Sequence, residues 1–489
     1  MAQQKEENVV IFPFMAQGHM IPFLSLALQI EQRKSYTVTF INTPLNIEKL
    51  RHSLPPTSTI RLISLPFSAA DHGLPPEAEN TDVLPYPLIV HLMHASLSLK
   101  PSFTHLISKL SPLCIISDMF FTWTADVANQ FGIFHSIFNA GGAYGMALYH
   151  SVWTHLPHCN TNSDEFSLPD LPEISPIHRS QLANNVKQAN GTDPWSLFIQ
   201  GQVRLWFSSD GLLFNTVEGL DQTGLSYFRR KKTGIPVWAI GPTRSKLTER
   251  AGAGDDRNMC IHWLDTCSQN SVLYVSFGSQ NTLSASQMME LAKALEASGK
   301  NFIWVVRPPL EFDINSEFRA EKWLPEGFED RIRKENRGLL VRKWAPQVEI
   351  LSHKSTRAFI SHCGWNSVLE SLSQGVPILA WPIGADQFYN AKFLEEEVGV
   401  CVEMARGNRS EVREEKILRL IKVVMGETEK GEKMRKKACE VKEIIKDAMR
   451  DEESYKGSSL KAMDEFFDAA LSMKKTRKQT MISSSEGPR

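Results

Sequence analysis

Residues 357–382 read RAFISHCGWNSVLESLSQGVPILAWP, and in this stretch two apolar runs enclose an amphipathic one. The runs RAFISHCG and PILAWP do not alternate apolar with polar residues, which predicts strands covered on both faces, as in a parallel sheet. Between them, NSVLESLSQG has the spacing of a helix and ends at Gly375, where glycine favours a helix stop. The stretch therefore predicts a strand–helix–strand unit with a right-handed crossover.

The same alternation of strands and helices continues in both directions from this unit. Further predicted strands are VVIFPF from Val9, TVTFIN from Thr37, CIISD from Cys114, SVLYVSFG from Ser271, NFIWVVR from Asn301 and GLLVRKW from Gly338. Amphipathic stretches such as QMMELAKALEASG lie between them. This repetition predicts an α/β fold built from doubly wound, Rossmann-like sheets.

The chain of 489 residues is too long for one ordinary compact core, so we expect two domains. The polar, Gly- and Ala-rich stretch KLTERAGAGDDRN separates two sets of predicted strands and is the best linker candidate. We place an N-terminal domain at 1–245, a linker at 246–260 and a C-terminal domain at 261–455. A helix at 456–472 is expected to pack back on the first domain, and the polar end, 473–489, is expected to be a disordered tail.

Charge and composition exclude several classes of partner. The formal net charge of −1 provides no global field that would attract nucleic acid or an anionic membrane. No apolar stretch is long enough for a membrane-spanning helix, and the start MAQQKEENVVIFPF does not resemble a secretory signal. Seven scattered cysteines without a C-x-x-C pair indicate reduced thiols. We therefore expect a cytoplasmic protein without nucleic-acid or membrane partners. We also expect a monomer.

Two chemically active side chains follow strands of the first predicted sheet. His19 comes after VVIFPF, and Asp118 ends CIISD. In doubly wound sheets ligands bind beyond the carboxyl ends of the strands. A lone histidine there can be a polar residue at a helix entry, and aspartate is a good N-cap. Together they place an imidazole and a carboxylate at one rim of a sheet, which predicts a general base oriented by an acid.

The strands of the second predicted sheet end in loops suited to an anionic ligand. Gly278 ends SVLYVSFG and Ser279 follows it, and the two residues form either a close backbone approach to a ligand or a simple turn. His362 follows RAFIS, and a helix predicted to begin near Asn366 would offer its free N–H groups and its dipole to a diphosphate. Ser367 and Glu370 also have the spacing of a capping box, which leaves a purely structural alternative open.

Other strand-end residues allow two interpretations each. Asp386 and Gln387 open a helix after PILAWP, where the aspartate can cap the helix or the acid–amide pair can hold sugar hydroxyls. Trp344 follows GLLVRK and can fill a core or stack on a flat base. The nearby residues His150, His155, His158 and Cys159 lack a recognised ligand spacing, so we predict no metal site there.

Residues 344–387 read WAPQVEILSHKSTRAFISHCGWNSVLESLSQGVPILAWPIGADQ. This segment closely resembles the signature box of the plant secondary-product UDP-glycosyltransferases. The segments FPFMAQGHMIPFLSLA, SDMFFTWTADVA, GLLFNTVEGL and YVSFGSQNTLS also look like segments of that family. The resemblance implies the GT-B fold, in which two Rossmann-like domains face each other across a cleft.

The resemblance implies a role for each strand-end residue. His19 would be the catalytic base and Asp118 its partner. In the donor site, Trp344 and Ala345 would hold the uracil, Gln347 and Glu370 the ribose, Ser279, His362, Asn366 and Ser367 the diphosphate, and Trp365, Asp386 and Gln387 the sugar. In this family a terminal glutamine of the box goes with glucose, so Gln387 favours UDP-glucose.

The resulting hypothesis is an inverting transfer of glucose from UDP-glucose to a hydroxyl of a small apolar acceptor, without a metal or other cofactor. Flavonoids, other phenolics, terpenoids and hormones are the acceptor classes considered. The alternatives are a non-catalytic UDP-sugar-binding protein of the same fold and a UDP-sugar epimerase or hydrolase. Aromatic residues of the first domain that could line the acceptor site or fill the core are Phe14, Phe120, Phe121, Trp123, Phe138, Tyr144 and Trp153.

Overall fold

The computed structural model of the chain describes residues 7–33, 35–243, 254–313, 316–342 and 344–485. The chain divides into two compact units. The first unit comprises Met1–Pro176, Gln188–Thr248 and Asp447–Arg489, and the second comprises Ile177–Lys187 and Glu249–Lys446.

The strands follow the predicted apolar runs. In chain order they are β1 (Glu7–Phe12), β2 (Tyr36–Asn42), β3 (Arg61–Ser64), β4 (Cys114–Asp118), β5 (Phe134–Asn139), β6 (Glu165–Phe166), β7 (Ile177–His178), β8 (Gly211–Phe214), β9 (Val237–Ala239), β10 (Val272–Ser276), β11 (Asn301–Val305), β12 (Gly338–Val341), β13 (Thr356–Ser361), β14 (Ile378–Ala380), β15 (Cys401–Glu403), β16 (Asp451–Glu452) and β17 (Tyr455–Lys456).

Helices connect the strands. In chain order they are α1 (Gln17–Glu31), α2 (Pro44–Arg51), α3 (Tyr86–Ala95), α4 (Lys100–Leu110), α5 (Thr124–Phe131), α6 (Ala143–His155), α7 (Asn184–Gln188), α8 (Pro194–Leu205), α9 (Gln222–Lys231), α10 (Gly254–Asp265), α11 (Ala285–Ala297), α12 (Ala320–Trp323), α13 (Phe328–Lys334), α14 (Gln347–Ser352), α15 (Trp365–Gln374), α16 (Gln387–Phe393), α17 (Glu414–Met425), α18 (Glu429–Ala448) and α19 (Ser458–Ser485).

Each unit is built on one parallel sheet. The strand order is β3-β2-β1-β4-β5-β8-β9 in the first unit and β12-β11-β10-β13-β14-β15 in the second. Neighbouring strands of both sheets pair in parallel. The strand–helix–strand unit at 357–382 forms as predicted, and α15 ends at Gly375, which has the left-handed φ of 75°. The predicted α/β fold with two doubly wound, Rossmann-like sheets is confirmed.

The C-terminal helix α19 completes the core of the first unit. Met463, Phe466, Phe467 and Ala470 follow helical spacing and are buried together with residues of β1, β2, β4 and β5. The ring of Phe467 stacks on Tyr36 with 4.1 Å between centroids. The stretch 447–485 thereby covers part of a sheet whose strands lie more than 200 residues earlier in the chain.

The domain boundaries predicted from the sequence differ from this division in two places. The segment Ile177–Lys187 groups with the second unit, where Arg406 Nη1 donates to Ser180 Oγ at 2.7 Å. The second unit ends at Lys446 instead of 455. Residues 246–253 of the predicted linker lie outside the described residues, and α10 already begins at Gly254.

The predicted disordered tail is a further difference, because α19 continues through residues 473–485. Two side chains anchor this part of the helix to the first unit. Lys474 Nζ pairs with Glu7 Oε2 at 2.5 Å. The Arg477 guanidinium lies against the backbone of Gly132, where a Cβ atom would be 2.5 Å from its Nη1. These contacts are long-range, so the polar composition of the tail gave no sign of them.

Within the described ranges, no helix combines the length and the apolar composition that a membrane crossing requires.

Three buried histidines predict a loss of stability in acid. Burial lowers the pKa of His135 to about 3 and the pKa values of His150 and His362 to about 4. In the unfolded chain each would titrate near its ordinary pKa of about 6.5. Below that pH the unfolded state binds protons that the folded state excludes, so stability is full above about 6.5 and falls as the pH is lowered towards 4.

Each of these histidines should contribute a slope of up to about 1.4 kcal/mol per pH unit within this window. The measurement is the melting temperature between pH 8 and 5, above the range where most carboxylates titrate. The variant His135→Gln removes one titrating group and should flatten the pH dependence by about a third. A wild-type melting temperature that stays constant from pH 7 to 5 would contradict the prediction.

Candidate active site

His19 and Asp118 meet at one edge of the first sheet. His19 is the third residue of α1, which follows β1, and Asp118 is the last residue of β4. Since β1 and β4 are parallel neighbours, with Phe12 opposite Ser117, their carboxyl ends lie side by side. His19 Nδ1 lies 2.8 Å from Asp118 Oδ2.

The surroundings of Asp118 fix the protonation pattern of the pair. Its side chain is fully buried, whereas that of His19 is 23% exposed. Asp118 Oδ1 accepts the Phe120 N–H at 3.0 Å, and α5 begins only at Thr124, so Asp118 does not cap that helix. A carboxylate only accepts, so His19 Nδ1 carries the proton and Nε2 is the basic nitrogen of the neutral ring.

Aromatic rings surround the imidazole of His19. The ring centroids of Phe14 and Phe120 lie 5.9 and 5.4 Å from that of His19. Phe198 of α8 lies 6.2 Å from Phe120 and extends this apolar wall. Phe198 was not predicted from the sequence, because α8 comes about 180 residues after His19 and follows no strand of the sheet.

All seven predicted lining candidates are buried, but they differ in position. Phe14 and Phe120 make ring contacts with His19. Phe138 packs edge-on against Phe23 within the main core of the first unit, with 4.9 Å between centroids. Phe121 packs on Phe12 and Phe14. The remaining candidates Trp123, Tyr144 and Trp153 are buried residues of the same unit.

In the second unit, the loops with the predicted donor residues follow β10, β12, β13 and β14. These strands are parallel members of one sheet, so the loops leave from a single edge. Ser279 is exposed after β10, and Trp344 is half-buried after β12. Ala345 is buried, and its carbonyl accepts the Gln347 N–H at 2.8 Å.

A hydrogen-bonded group joins the start of α14 to α15. Gln347 Nε2 donates to Ser367 Oγ at 2.9 Å and to Glu370 Oε2 at 2.6 Å. Tyr274, in the middle of β10, donates its hydroxyl proton to Gln347 Oε1 at 3.2 Å. The N-cap of α15 is Gly364, so Ser367 lies inside the first turn and the alternative of a Ser367–Glu370 capping box does not apply.

His362 packs tightly among the glycines of two loops. A Cβ atom at Gly278 would be 2.8 Å from His362 Nε2, and one at Gly364 would be 2.5 Å from it. Gly278 has φ 80°, and Cys363 next to His362 has φ 62°. Because burial lowers the pKa of His362 to about 4, the imidazole is neutral at physiological pH. A neutral ring can donate one hydrogen bond without adding a charge to the site.

The first turn of α15 carries two other predicted residues. Trp365 is buried, with its ring 6.2 Å from that of Phe393, and Asn366 is half-buried. Backbone N–H groups at the start of a helix of this length favour an anion. Because the N-cap residue is Gly364, no N-cap side chain bonds to these groups.

The side-chain amides of Gln387 and Asn390 form hydrogen bonds with the loop after β14. Gln387 Oε1 accepts the N–H groups of Ile383 and Gly384, each at 2.9 Å, which leaves its NH₂ group as a donor. Asp386 does not cap α16 with its side chain; its Oδ2 accepts from Asn390 Nδ2 at 3.0 Å. Asn390 Nδ2 also donates to the Cys363 carbonyl at 3.0 Å and so links the loops after β13 and β14. Asn390 was not among the residues predicted from the sequence.

The histidine-rich stretch of α6 has other partners. His150 Nδ1 bonds with the Tyr227 hydroxyl at 2.8 Å, and His155 Nε2 pairs with Asp170 at 3.1 Å. Cys159 Sγ donates to the Ala189 carbonyl at 3.1 Å. In the part of the chain that the structure describes, no group of three or more His, Cys, Asp or Glu side chains could hold a metal ion.

The chain is similar in sequence and in fold to known proteins. A family model described as "UDP-glucoronosyl and UDP-glucosyl transferase" matches residues 255–440. UDP-glycosyltransferase 92A1 of Arabidopsis thaliana is 49% identical over 485 residues, covering 96% of this chain and 99% of that protein. Crocetin glucosyltransferase 3 of Crocus sativus is 44% identical over 447 residues, covering 87% and 92%. The crystal structure of Glycyrrhiza uralensis UGT73P12 complexed with glycyrrhetinic acid 3-O-monoglucuronide matches with a TM-score of 0.83 at 28% identity, covering 98% and 99%.

Proposed function

The chain belongs to the family of plant UDP-glycosyltransferases, and from this premise we propose that it transfers glucose from UDP-glucose, with inversion, to a hydroxyl of a small apolar acceptor. The observation that carries the proposal is the hydrogen bond between His19 Nδ1 and Asp118 Oδ2 at 2.8 Å, which leaves Nε2 as the base. The residues around α15 supply the complementary donor site.

The proposed reaction is a single displacement. The acceptor oxygen attacks the anomeric carbon of glucose, the bond from that carbon to the β-phosphate oxygen breaks, and UDP leaves with the bonding electrons. The acceptor proton goes to His19 Nε2, and Asp118 stabilises the imidazolium that forms. One displacement at carbon inverts its configuration. The chemistry requires that the acceptor oxygen at His19 and the anomeric carbon of the donor come within bonding distance.

The leaving diphosphate gains negative charge, which the start of α15 is suited to stabilise. Backbone N–H groups of its first turn, the Ser367 hydroxyl and the neutral imidazole of His362 are all hydrogen-bond donors for phosphate oxygens. We assign the uracil to Trp344 and Ala345 and the diphosphate also to Ser279 and Asn366. These fixed dipoles support transfer without a metal ion. Activity that persists in excess EDTA is the expected result.

The sugar preference rests on the loop after β14. The carbonyl oxygen of Gln387 is held by two backbone N–H groups, so its NH₂ group is presented as a donor for a sugar hydroxyl. Asp386 and Trp365 complete the proposed sugar contacts. The similarity to a protein named as a glucosyltransferase also favours glucose. In a donor comparison, UDP-glucose should be used faster than UDP-galactose, and the reverse order would contradict the assignment to Gln387.

The acceptor class follows from the wall of rings beside His19. Phe14, Phe120 and Phe198 present apolar, aromatic surface to the general base, which suits a flat or polycyclic molecule with one reactive hydroxyl. A panel of flavonoid, other phenolic, terpenoid and hormone acceptors should show UDP release that depends on the acceptor. UDP release without an acceptor would indicate a hydrolase, and UDP-glucose binding without turnover would indicate a binding protein.

The cysteines support a cytoplasmic location, which we propose together with a monomeric state. All seven are free thiols, and most of them are buried. Free thiols are typical of proteins in a reducing compartment. Fractionation with a tagged protein and size-exclusion chromatography test these two assignments.

Gly278 provides a test of the donor site. In the variant Gly278→Ala, the new methyl group would collide with His362 and the residue would keep a φ of 80° that alanine resists. We expect the KM for UDP-glucose to rise roughly tenfold, equivalent to about 1.4 kcal/mol of lost binding. The matched control is Gly299→Ala, where φ is 64° and no atom lies within 4 Å of the new Cβ. Equal KM values in the two variants would show that the close approach to His362 has no role in donor binding.

A further inference from the structure

Helix α8 presents one column of side chains to the loop that follows β4. The column consists of Phe198, Gln202 and Trp206, which are spaced four residues apart and so lie on one face. The ring of Phe198 lies 6.2 Å from that of Phe120, and Trp206 Nε1 donates to the Met119 carbonyl at 3.0 Å. The middle member of the column, Gln202, therefore lies beside the loop that forms part of the apolar wall.

The hydrogen bonds of Gln202 determine which way its side-chain amide faces. One terminal atom of the amide lies 3.2 Å from the Thr122 backbone nitrogen and 2.8 Å from Thr122 Oγ1. A backbone N–H only donates, so this atom is the carbonyl oxygen of the amide. The Thr122 hydroxyl donates to the same oxygen. The NH₂ group therefore occupies the terminal position that does not face Thr122.

The NH₂ group of Gln202 can donate two hydrogen bonds, and it has no partner among the residues that the structure describes. Gln202 is only 8% exposed, so bulk water has little access to this group. A buried donor without an acceptor is unfavourable, and it gains free energy when a ligand supplies an acceptor atom. The amide of Gln202 is therefore a candidate contact for a bound molecule.

The apolar wall beside the proposed base extends to this part of α8. The ring of Phe120 lies 5.4 Å from that of His19, and the ring of Phe198 lies 6.2 Å from that of Phe120. The span from His19 to Phe198 is thus that of a small polycyclic molecule. Gln202 follows Phe198 by one turn on the same face of α8. A molecule that places a hydroxyl at His19 and packs its rings on this wall extends towards the Gln202 amide.

We propose that Gln202 determines acceptor specificity: its NH₂ group donates a hydrogen bond to an oxygen remote from the hydroxyl that receives the sugar. An NH₂ group only donates, so the best partner is a carbonyl or carboxylate oxygen, which only accepts. The preferred acceptor is therefore a rigid, apolar, polycyclic or aromatic molecule with a hydroxyl at one end and such an oxygen at the other. The inference deepens the proposed function, since it refers to the acceptor of that reaction.

Binding of two matched pairs of phenols to the full chain, measured by calorimetry, tests the proposal. The pairs are estrone with 17-deoxyestrone and 4-acetyl-4′-hydroxystilbene with 4-ethyl-4′-hydroxystilbene. Within each pair, a carbonyl group remote from the phenol in the first compound replaces a CH₂ group in the second. We expect the wild type to bind the carbonyl compound of at least one pair about tenfold more tightly. Equal binding within both pairs, or no binding of any of the four compounds, would overturn the proposal.

The variant Gln202→Glu removes the NH₂ group and keeps an oxygen for both donors of Thr122. At pH 8 these two hydrogen bonds favour the ionised carboxylate, which cannot donate. The measured quantity is the ratio of the two dissociation constants within a pair, in which effects common to both compounds cancel. We expect the preference for the carbonyl compound to fall from about tenfold to about onefold or less. An unchanged ratio would show that Gln202 only supports the loop after β4, and the proposal would be wrong.

The matched control is Thr122→Val, which removes one hydrogen bond to the Gln202 carbonyl oxygen and leaves the NH₂ group in place. This variant should keep the wild-type ratio. If Gln202→Glu fails to fold, Gln202→Met provides the same comparison, and its ratio should also fall to about one. Loss of the preference in Thr122→Val as well would show that the position of the loop sets the ratio, and it would contradict the role of the NH₂ group.

A transfer assay with UDP-glucose separates these outcomes from a failure of the proposed function. A wild-type chain that prefers the carbonyl compounds but releases no UDP in their presence would refute the proposed transfer and leave the role of Gln202 in binding intact. A wild-type chain that glucosylates these phenols and binds both members of each pair equally would refute only the role of Gln202.

Discussion

The variant His19→Ala should lose about 10²–10⁴-fold in kcat, the usual contribution of a positioned general base. Its dissociation constant for UDP should change by less than about twofold, the level of an unaffected site. The reason is that proton transfer and UDP binding are assigned to different parts of the chain. His19 Nε2 is the proposed base in the first unit, whereas every residue assigned to UDP belongs to the second. The measurement is kcat with a saturating acceptor, combined with calorimetric binding of UDP.

A control for this experiment is His105→Ala, which removes an exposed histidine of α4 in the same unit. It should retain full activity. Transfer by His19→Ala within tenfold of the wild-type rate would refute the role of His19 as base. A parallel loss of UDP binding would instead show that the substitution disturbs more than proton transfer.

The variant Asp118→Asn should be almost as damaging, with kcat reduced about 10²–10⁴-fold. Asp118 Oδ1 accepts the Phe120 N–H at 3.0 Å, so the carbonyl oxygen of the new amide is expected to remain on that donor. Its NH₂ group then faces His19 Nδ1. The imidazole would be forced into the tautomer with the proton on Nε2, the nitrogen that must accept the proton of the acceptor.

Comparison with Asp118→Ala separates this tautomer effect from a loss of charge. Alanine removes the carboxylate but imposes no tautomer, so Asp118→Asn should be the slower of the two variants although it is closer to the wild type in shape. The measurement is kcat of the two variants under identical conditions, with melting temperatures to confirm that both fold. An asparagine variant with more than a tenth of wild-type activity would contradict the proposed orientation of Asp118.

The arrangement of His19 and Asp118 could be predicted because it depends on one local rule. Each residue follows an apolar run that forms a parallel strand, and the carboxyl ends of parallel strands share an edge. Because β1 and β4 are neighbours in the sheet, His19 and Asp118 lie close together although they are 99 positions apart. The distance from His19 Nδ1 to Asp118 Oδ2 is 2.8 Å. The same rule predicted that the loops proposed to bind the donor lie at one edge of the second sheet.

Contacts that no local pattern encodes could not be predicted. Phe198 lies on a helix far along the chain, Tyr274 lies in mid-strand under the site, and Asn390 joins two loops through one amide. The capping-box alternative for Ser367 could be decided only from where α15 begins, at a boundary that sequence patterns place imprecisely. The helical continuation of residues 473–485 depends on the long-range partners of Lys474 and Arg477.

The covering of the first sheet by α19 has a consequence for biosynthesis. Phe466 and Phe467 are synthesised after the whole of the second unit, yet they fill a core whose earliest strand, β1, begins at Glu7. During synthesis of the second unit, the first unit therefore still lacks α19, and the apolar surface that this helix covers is exposed. A chaperone that shields this surface until release from the ribosome would suit such an order of events. A fragment ending at residue 243 would lack its last core helix and should aggregate, whereas supplying 447–485 as a separate peptide should improve its solubility.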